Sequence, residues 1–361
     1  MTKEFGVAYY GVMFPDRVDQ DFEEMREHGV NAVLLGVGEY DAWFWGAAIP
    51  KIVEKAKSAG FTVYIDLWGW GKVFGGEPPS IFLQDHVEHR QVTNKGRVMP
   101  AACINSEEFR QYVFERAEQL AKETEADYFF LDEPHFSFYV QKSEGYGFRI
   151  LKEWTCRCET CRAKFREEYG YEMPLEMNED VLKFREKTIV GFLGELADII
   201  KKADSKKKVA VCLLPAAKLG GVVGKLAGEY KKLIGVVEWD RIAELVSVDM
   251  LGTDPYWMVI EEFMPTKLFF KGLKWYGQVV DYLLETARKY RKETQVWVQA
   301  FRVPKGREEE IVKGIDLAVA KGVDSIFAWP YRAGMFSVLE SGDAAKLWSL
   351  IGRTFKKYRE A

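Results

Sequence analysis

Histidine is scarce in this sequence: His28, His86, His89 and His135 are the whole complement. A metal-dependent barrel hydrolase gathers several histidines at its strand ends, and only His135 stands at one, so a catalytic metal is not expected. The nucleophile-elbow pattern Gly-x-Ser-x-Gly is missing, which argues against a Ser-His-Asp hydrolase. No Gly-x-Gly-x-x-Gly follows the first strand-like segment and no phosphate-binding glycine loop follows the seventh, so no organic cofactor is expected. Five cysteines in 361 residues do not make a disulfide scaffold. No apolar run reaches the ~18 residues of a membrane span. Met-Thr-Lys-Glu leads straight into the strand-like Phe5–Phe14, not into a leader's apolar core, and a reducing cytoplasm is the expected setting. The net charge of −4 offers no basic face for nucleic acid. Four asparagines and nine glutamines stand against many Glu and Lys, a skew found in hyperthermophile proteins.

What is present is a core-rich chain, 48% hydrophobic and 14% aromatic. Its pattern is strand then helix, eight times over. The strands are read at Phe5–Phe14, Asn31–Gly38, Phe61–Leu67, Tyr128–Leu131, Lys208–Leu214, Val246–Gly252, Gln295–Phe301 and Ser325–Trp329. Helices are expected at about 16–28, 44–59, 106–124, 239–245, 267–292, 308–321 and 343–358. Gly29, Gly60 and Gly322 stand where a helix hands over to a strand. A long loop is expected over 72–105, and a helical excursion over about 137–205, broken near Gly170–Pro174. A Gly- and Lys-rich insertion occupies 218–237. Eight such units predict an α/β fold of the (β/α)8 TIM-barrel type over residues 1–361, as a single domain; an open doubly wound sheet is the runner-up.

The most pointed stretch is Asp127–Cys161. The apolar run Tyr128–Leu131 ends abruptly in Asp132-Glu133-Pro134, and charge at the carboxyl end of a buried strand is placed where α/β folds bind ligands. Adjacent strand residues point to opposite sides, so only one of Asp132 and Glu133 is expected to face the pocket. Cys156, Cys158 and Cys161 follow in a six-residue window. Zinc takes four ligands in a tetrahedron, and Cys103, at the end of the long loop, is the fourth candidate. A closed four-cysteine site is structural. Cys212, inside a strand, is read as a core thiol.

The strand ends collect Tyr9, Tyr10, Glu39, Asp41, Asp66, Trp68, Trp70, Asp132, Glu133, His135, Asp254, Tyr256, Trp257, Gln299, Arg302, Trp329, Tyr331 and Arg332. Carboxylates and large rings dominate. Rings stack on the C–H faces of sugars and carboxylates exchange protons, a combination suited to glycoside chemistry. Asp66 lies inside its strand and also fits a buried polar network; Glu39 and Asp41 also fit helix caps. Glu133 is the acid/base candidate. Asp254, on strand six with a proline behind it, is its partner by elimination, because strand seven reads Val296-Trp297-Val298-Gln299-Ala300-Phe301 with no carboxylate.

The order Cys103, a carboxylate ending strand four, then Cys156-x-Cys158-x-x-Cys161 running into Ala163-Lys-Phe165 resembles the zinc-binding segment of family-42 glycoside hydrolases, the thermophilic β-galactosidases. The resemblance spans roughly residues 103–161. It implies a (β/α)8 barrel, a structural zinc ion, and a glutamate acid/base in an Asn-Glu motif, the position held here by Asp132-Glu133. The family's nucleophile glutamate at the end of strand seven has no counterpart, and Asp replaces Asn at 132. An adjacent Asp-Glu pair also resembles substrate-assisted hexosaminidases, which keeps an N-acetylated sugar open. The expectation is a glycoside hydrolase or transglycosylase with a carbohydrate substrate. The alternatives are a non-hydrolytic carbohydrate-binding barrel and a barrel lyase or isomerase. A homo-oligomer is compatible with the sequence.

Overall fold

A computed structural model of the chain describes residues 2–141, 149–215, 221–236, 238–263 and 271–360. Eight parallel strands close into a barrel. They are β1 (Glu4–Tyr9), β2 (Ala32–Gly36), β3 (Thr62–Asp66), β4 (Tyr128–Leu131), β5 (Lys208–Leu213), β6 (Met250–Thr253), β7 (Glu293–Gln299) and β8 (Ser325–Trp329). Each pairs with its sequence neighbours, and β1 pairs with β8 through Glu4 beside Ser325 to close the ring. This is the predicted TIM barrel.

The helices around it are α1 (Val18–Glu27), α2 (Ile49–Ser58), α3 (Glu107–Glu123), α4 (Glu159–Tyr169), α5 (Glu179–Ala203), α6 (Gly221–Ile234), α7 (Gly272–Tyr290), α8 (Glu308–Lys321) and α9 (Ala344–Arg359), with shorter turns between. Their ends are chemically marked. The Ser106 hydroxyl accepts from Phe109 N and starts α3, and Asn178 accepts from Val181 N to start α5. Gly322, at φ 82°, ends α8 in a left-handed conformation that any side chain would strain.

Inside the barrel the two-residue period of each strand delivers Leu34, Tyr64, Phe130, Cys212, Trp297 and Phe327 to one core. Residues of this size stabilise the fold by about 1.5–3 kcal/mol each when buried. The outward-facing alternates pack against the helices in a second, larger core.

Two segments differ from the sequence reading. The loop over 72–105 contains an antiparallel ribbon, Arg90–Val92 against Val98–Ala102. The excursion after β4 opens not with helix but with a second ribbon, Phe138–Gln141 against Arg149–Trp154, before α4 and α5. Much of the insertion at 218–237 is the helix α6. No helix among the described residues is long and apolar enough to cross a membrane.

Candidate active site

The alternation that fills the barrel brings one last inward layer to the mouth. Gly36 lies level with Asp66, and Gln299 level with Trp329. Tyr10, Asp132 and Asp254 are the next inward positions after β1, β4 and β6. Gly36 is required here: a Cβ on it would lie 2.0 Å from the Tyr10 ring. With that space open, Tyr10 meets Trp68 at 4.3 Å between centroids and accepts a hydrogen bond from Trp329 Nε1 at 2.8 Å. Trp329 in turn contacts Phe301 at 4.6 Å and stacks with Tyr256 at 6.0 Å. The result is a connected wall of rings.

These rings border a cavity of about 290 Å³, near the lower end of small-molecule sites. Its other lining includes Gly76, Glu77, Phe130, Asp132, Glu133, Cys212, Asp254, Val259, Glu262, Trp297, Gln299 and Arg302. Both Asp132 and Glu133 line it, against the expectation that strand alternation would turn one of them away. The cause is local: Glu133 adopts φ 39°, outside strand geometry, which breaks the alternation at that residue. Such a conformation in a non-glycine residue costs on the order of 1–3 kcal/mol and collects at functional sites.

The carboxyls are crowded. Burial, then the Glu133 charge, then Glu77, push Asp132 well above the usual carboxylate range. Asp254 is raised by burial, by the charge of Glu133, by a hydrogen-bonding interaction with it, and by Asp132. Asp66 is fully buried, neither of its oxygens has a partner, and burial followed by the charges of Asp132, Glu77 and Glu133 raises it too. Gly75 presses on this group. A Cβ there would lie 2.6 Å from Asp132 Oδ2 and 3.1 Å from Glu133 Oε2.

Of the residues the sequence placed at the mouth, the cavity unites Tyr10, Trp68, Asp132, Glu133, Asp254, Tyr256, Gln299, Arg302 and Trp329. Asp66 sits behind this lining. Eight others are held elsewhere. Tyr9 donates to Asp21 Oδ2 at 2.5 Å, Asp41 accepts from Gly38 N at 2.8 Å, and Arg332 pairs with Glu24. Glu39 is a buried brace for the loop after β3, accepting from Gly71 N at 2.6 Å, Phe82 N at 2.7 Å and the Ser80 hydroxyl at 2.8 Å. Trp70 is buried and donates to the Val37 carbonyl. Trp257 packs into the helix layer against Tyr276. Tyr331 donates towards Asp21 and Glu24, and His135 lies against the Glu133 carbonyl at 2.5 Å. Sequence reading missed Glu77 and Glu262 as lining residues. It also left out Phe130 and Trp297, although their place in the inward two-residue period was there to be read.

Near the mouth, Cys103, Cys156, Cys158 and Cys161 bring their sulfurs within 4.8 Å of one another. Cys103 Sγ is 3.5 Å from Cys161 Sγ and 3.5 Å from Cys158 Sγ. Four thiolates at ~2.3 Å from a tetrahedral ion would stand ~3.8 Å apart, so the cluster fits a metal such as zinc. Asn105 Nδ2 donates to Cys161 Sγ at 3.3 Å, as an outer partner of such a centre would. Beside the cluster lies the fully buried guanidinium of Arg185, its pKa pushed down to about 9 by desolvation and pulled back by Cys156 and Cys161. It donates to the carbonyls of Thr155 and Leu233 at 2.5 Å each, and to that of Lys232.

No family model matches the chain, and no curated protein matches it in sequence. Solved structures do match in fold. A β-galactosidase from the Antarctic haloarchaeon Halorubrum lacusprofundi superposes with a TM-score of 0.71 at 14% identity, covering 99% of this chain and 58% of that one. A GH42 β-galactosidase from G. stearothermophilus, solved as a catalytic mutant, gives 0.67 at 13% identity, covering 99% and 57%. An endo-1,4-β-mannanase from Rhizomucor miehei gives 0.60 at 14% identity, covering 99% and 95%. The chain thus spans less than two thirds of these β-galactosidases. It shares the TIM-barrel fold with glycoside hydrolases.

Proposed function

We propose that this chain hydrolyses a glycosidic bond in a carbohydrate substrate, with Glu133 as proton donor and Asp254 as the partner carboxylate. The observation that carries the reading is that both carboxyls line one cavity walled by Tyr10, Trp68, Tyr256 and Trp329. Two carboxyls bordering one small cavity suit double displacement with retention, which sets them ~5–5.5 Å apart; their separation tests this against inversion, which holds a water across ~6.5–9.5 Å. The proton that burial and the Glu133 charge favour on Asp254 would pass to Glu133 as the substrate binds; Glu133 would then protonate the leaving oxygen as the Asp254 carboxylate attacks the anomeric carbon. Glu133, now a carboxylate, would then take a proton from the water that cleaves the glycosyl ester. Asp132 would orient the sugar, and the rings would stack on its C–H faces.

The four cysteines are proposed to hold a structural zinc ion. A closed tetrathiolate site supplies a cross-link and no open coordination position. Its net negative charge would answer the buried Arg185, whose guanidinium donates to three carbonyls and the Met177 sulfur and, among the described residues, to no carboxylate.

A second reading, a sugar-binding barrel without hydrolysis, draws on Gln299 at the end of β7, where the resembled family has its nucleophile. A panel of nitrophenyl glycosides, run with the wild type and Glu133→Gln, separates the two. Release of nitrophenol by the wild type alone supports hydrolysis. Sugar binding with no turnover on any member supports the second reading.

A further inference from the structure

A retaining hydrolase needs two carboxyls, and this mouth has more. Glu77, Asp132 and Glu262 line the cavity together with Glu133 and Asp254, and Asp66 lies behind them. Among the described residues the lining contains one cation, Arg302, an exposed residue whose Nε donates to the Val338 carbonyl. The hydrogen-bond inventory is lopsided in the same sense. The buried lining atoms without a partner are Asp254 Oδ1 and Gln299 Oε1, both acceptors, and the two oxygens of Asp66 add to them. Asp254 is 7% exposed and Gln299 is fully buried.

We propose, on the glycosidase reading above, that the sugar bound here carries a protonated primary amine, a deacetylated amino sugar, with the ammonium held at Asp132 near Asp66 and Asp254. A hydroxyl brings one donor and no charge. An ammonium brings three donors and a positive charge to Asp132, Asp66 and Asp254, whereas Glu77 already has Lys72 near it. An N-acetyl group instead adds a carbonyl acceptor and a methyl to a site already rich in acceptors. Asp132 itself departs from the Asn-Glu motif of the resembled family, and Asp for Asn exchanges an amide's two N–H donors for acceptors and a charge. The surrounding rings suit a cation as well as a sugar face, because their π-faces attract positive charge. Burial first, and then the charges of neighbouring carboxyls, raise Asp66 and Asp132, and the second of these would be relieved by the same ligand.

The test is calorimetric titration of the whole chain with three methyl β-glycosides: the glucosaminide, the N-acetylglucosaminide and the glucoside. It is run at about pH 6, below the ordinary pKa of an amino group. The glucosaminide is expected to bind about tenfold or more tightly than either neutral ligand. In Asp132→Asn, an isosteric change whose folding is checked by its melting temperature, that preference should shrink to about threefold or less. Equal affinities in the wild type, no detectable binding of the glucosaminide, or a preference untouched by Asp132→Asn would each overturn the proposal. The wild-type ratio alone decides the matter if the variant does not fold. The readout is binding, so the two readings fail separately. Turnover of neutral glycosides with no amine preference removes the amine and leaves the hydrolase, whereas amine-selective binding with no turnover does the reverse.

Discussion

Asp132 and Glu133 are neighbours in the chain and neighbours in the cavity, a pairing that a regular strand forbids and the left-handed Glu133 permits. The acid of the proposed reaction therefore sits on a backbone held in an uncommon conformation. Its loop is fixed by Gly75 N donating to the Asp132 carbonyl at 2.8 Å and His135 N donating to the Val73 carbonyl at 3.0 Å.

Replacing the proton donor tests the mechanism most directly. Glu133→Gln keeps size and polarity and removes the proton. On a confirmed substrate it should lower kcat by roughly 10²–10⁴-fold, the usual share of general acid catalysis, with little change in melting temperature. Unchanged kcat would remove Glu133 from the mechanism.

Gly75 offers a different probe, one that adds a methyl group and removes no carboxyl. Gly75→Ala would push a Cβ to within 2.6 Å of Asp132 Oδ2, and the carboxyl pair must move to accept it. Activity should fall more than about tenfold, while overpacking costs about 1–3 kcal/mol of stability. Wild-type kinetics in this variant would mean that the carboxyl positions are not constrained from this side.

Asp66 makes a prediction about pH. Its folded pKa is raised, so over the window above the ordinary carboxylate value the folded state binds more protons than the unfolded one. Stability then falls as pH rises through that window, and it is highest below it. Asp66→Asn removes the buried charge. The variant should melt above the wild type at pH ~8 by an amount worth at least ~1 kcal/mol, and this advantage should shrink towards pH ~4. A gap independent of pH would refute the assignment.

For the cysteines, the measurement is metal content after purification without chelator. About one zinc per chain is expected, with Cys161→Ser losing the ion and melting several degrees lower. Protein free of zinc, or a variant with unchanged metal content, would set the structural-zinc assignment aside.

The barrel was legible in the sequence because period and breakers agree there. Tyr128–Leu131 and Ser325–Trp329 were read to the residue, as was the helix Glu308–Lys321. The two ribbons were not. Their strands are short, and Arg90–Val92 is a three-residue piece with charge at its start, too little for a period to show. At the mouth, position at a strand's carboxyl end foretold Tyr10, Asp132, Asp254, Gln299 and Trp329. It failed for Trp70, Trp257 and Tyr331, which follow the strand ends, where turn geometry and not alternation decides direction. Glu39 misled for a related reason: a carboxylate beside a strand end can bind loop amides as readily as a ligand, and only the placement of Gly71, Ser80 and Phe82 shows which.

The rings form an unbroken arc, Trp68 to Tyr10 to Trp329 to Tyr256, while Asp66 ends β3 and Asp132, Glu133 and Asp254 follow β4 and β6. A mouth divided in this way is keyed. A flat ring can enter with its hydrocarbon face on the aromatic arc and its N–H and O–H edge towards the acids. Turned over, it would set polar groups against carbon and carbon against charge. On the proposed function, stereoisomers that differ at a single centre would move one group from the wet side to the dry side, so that the partition of the rim would read handedness at each ring carbon before any bond is broken.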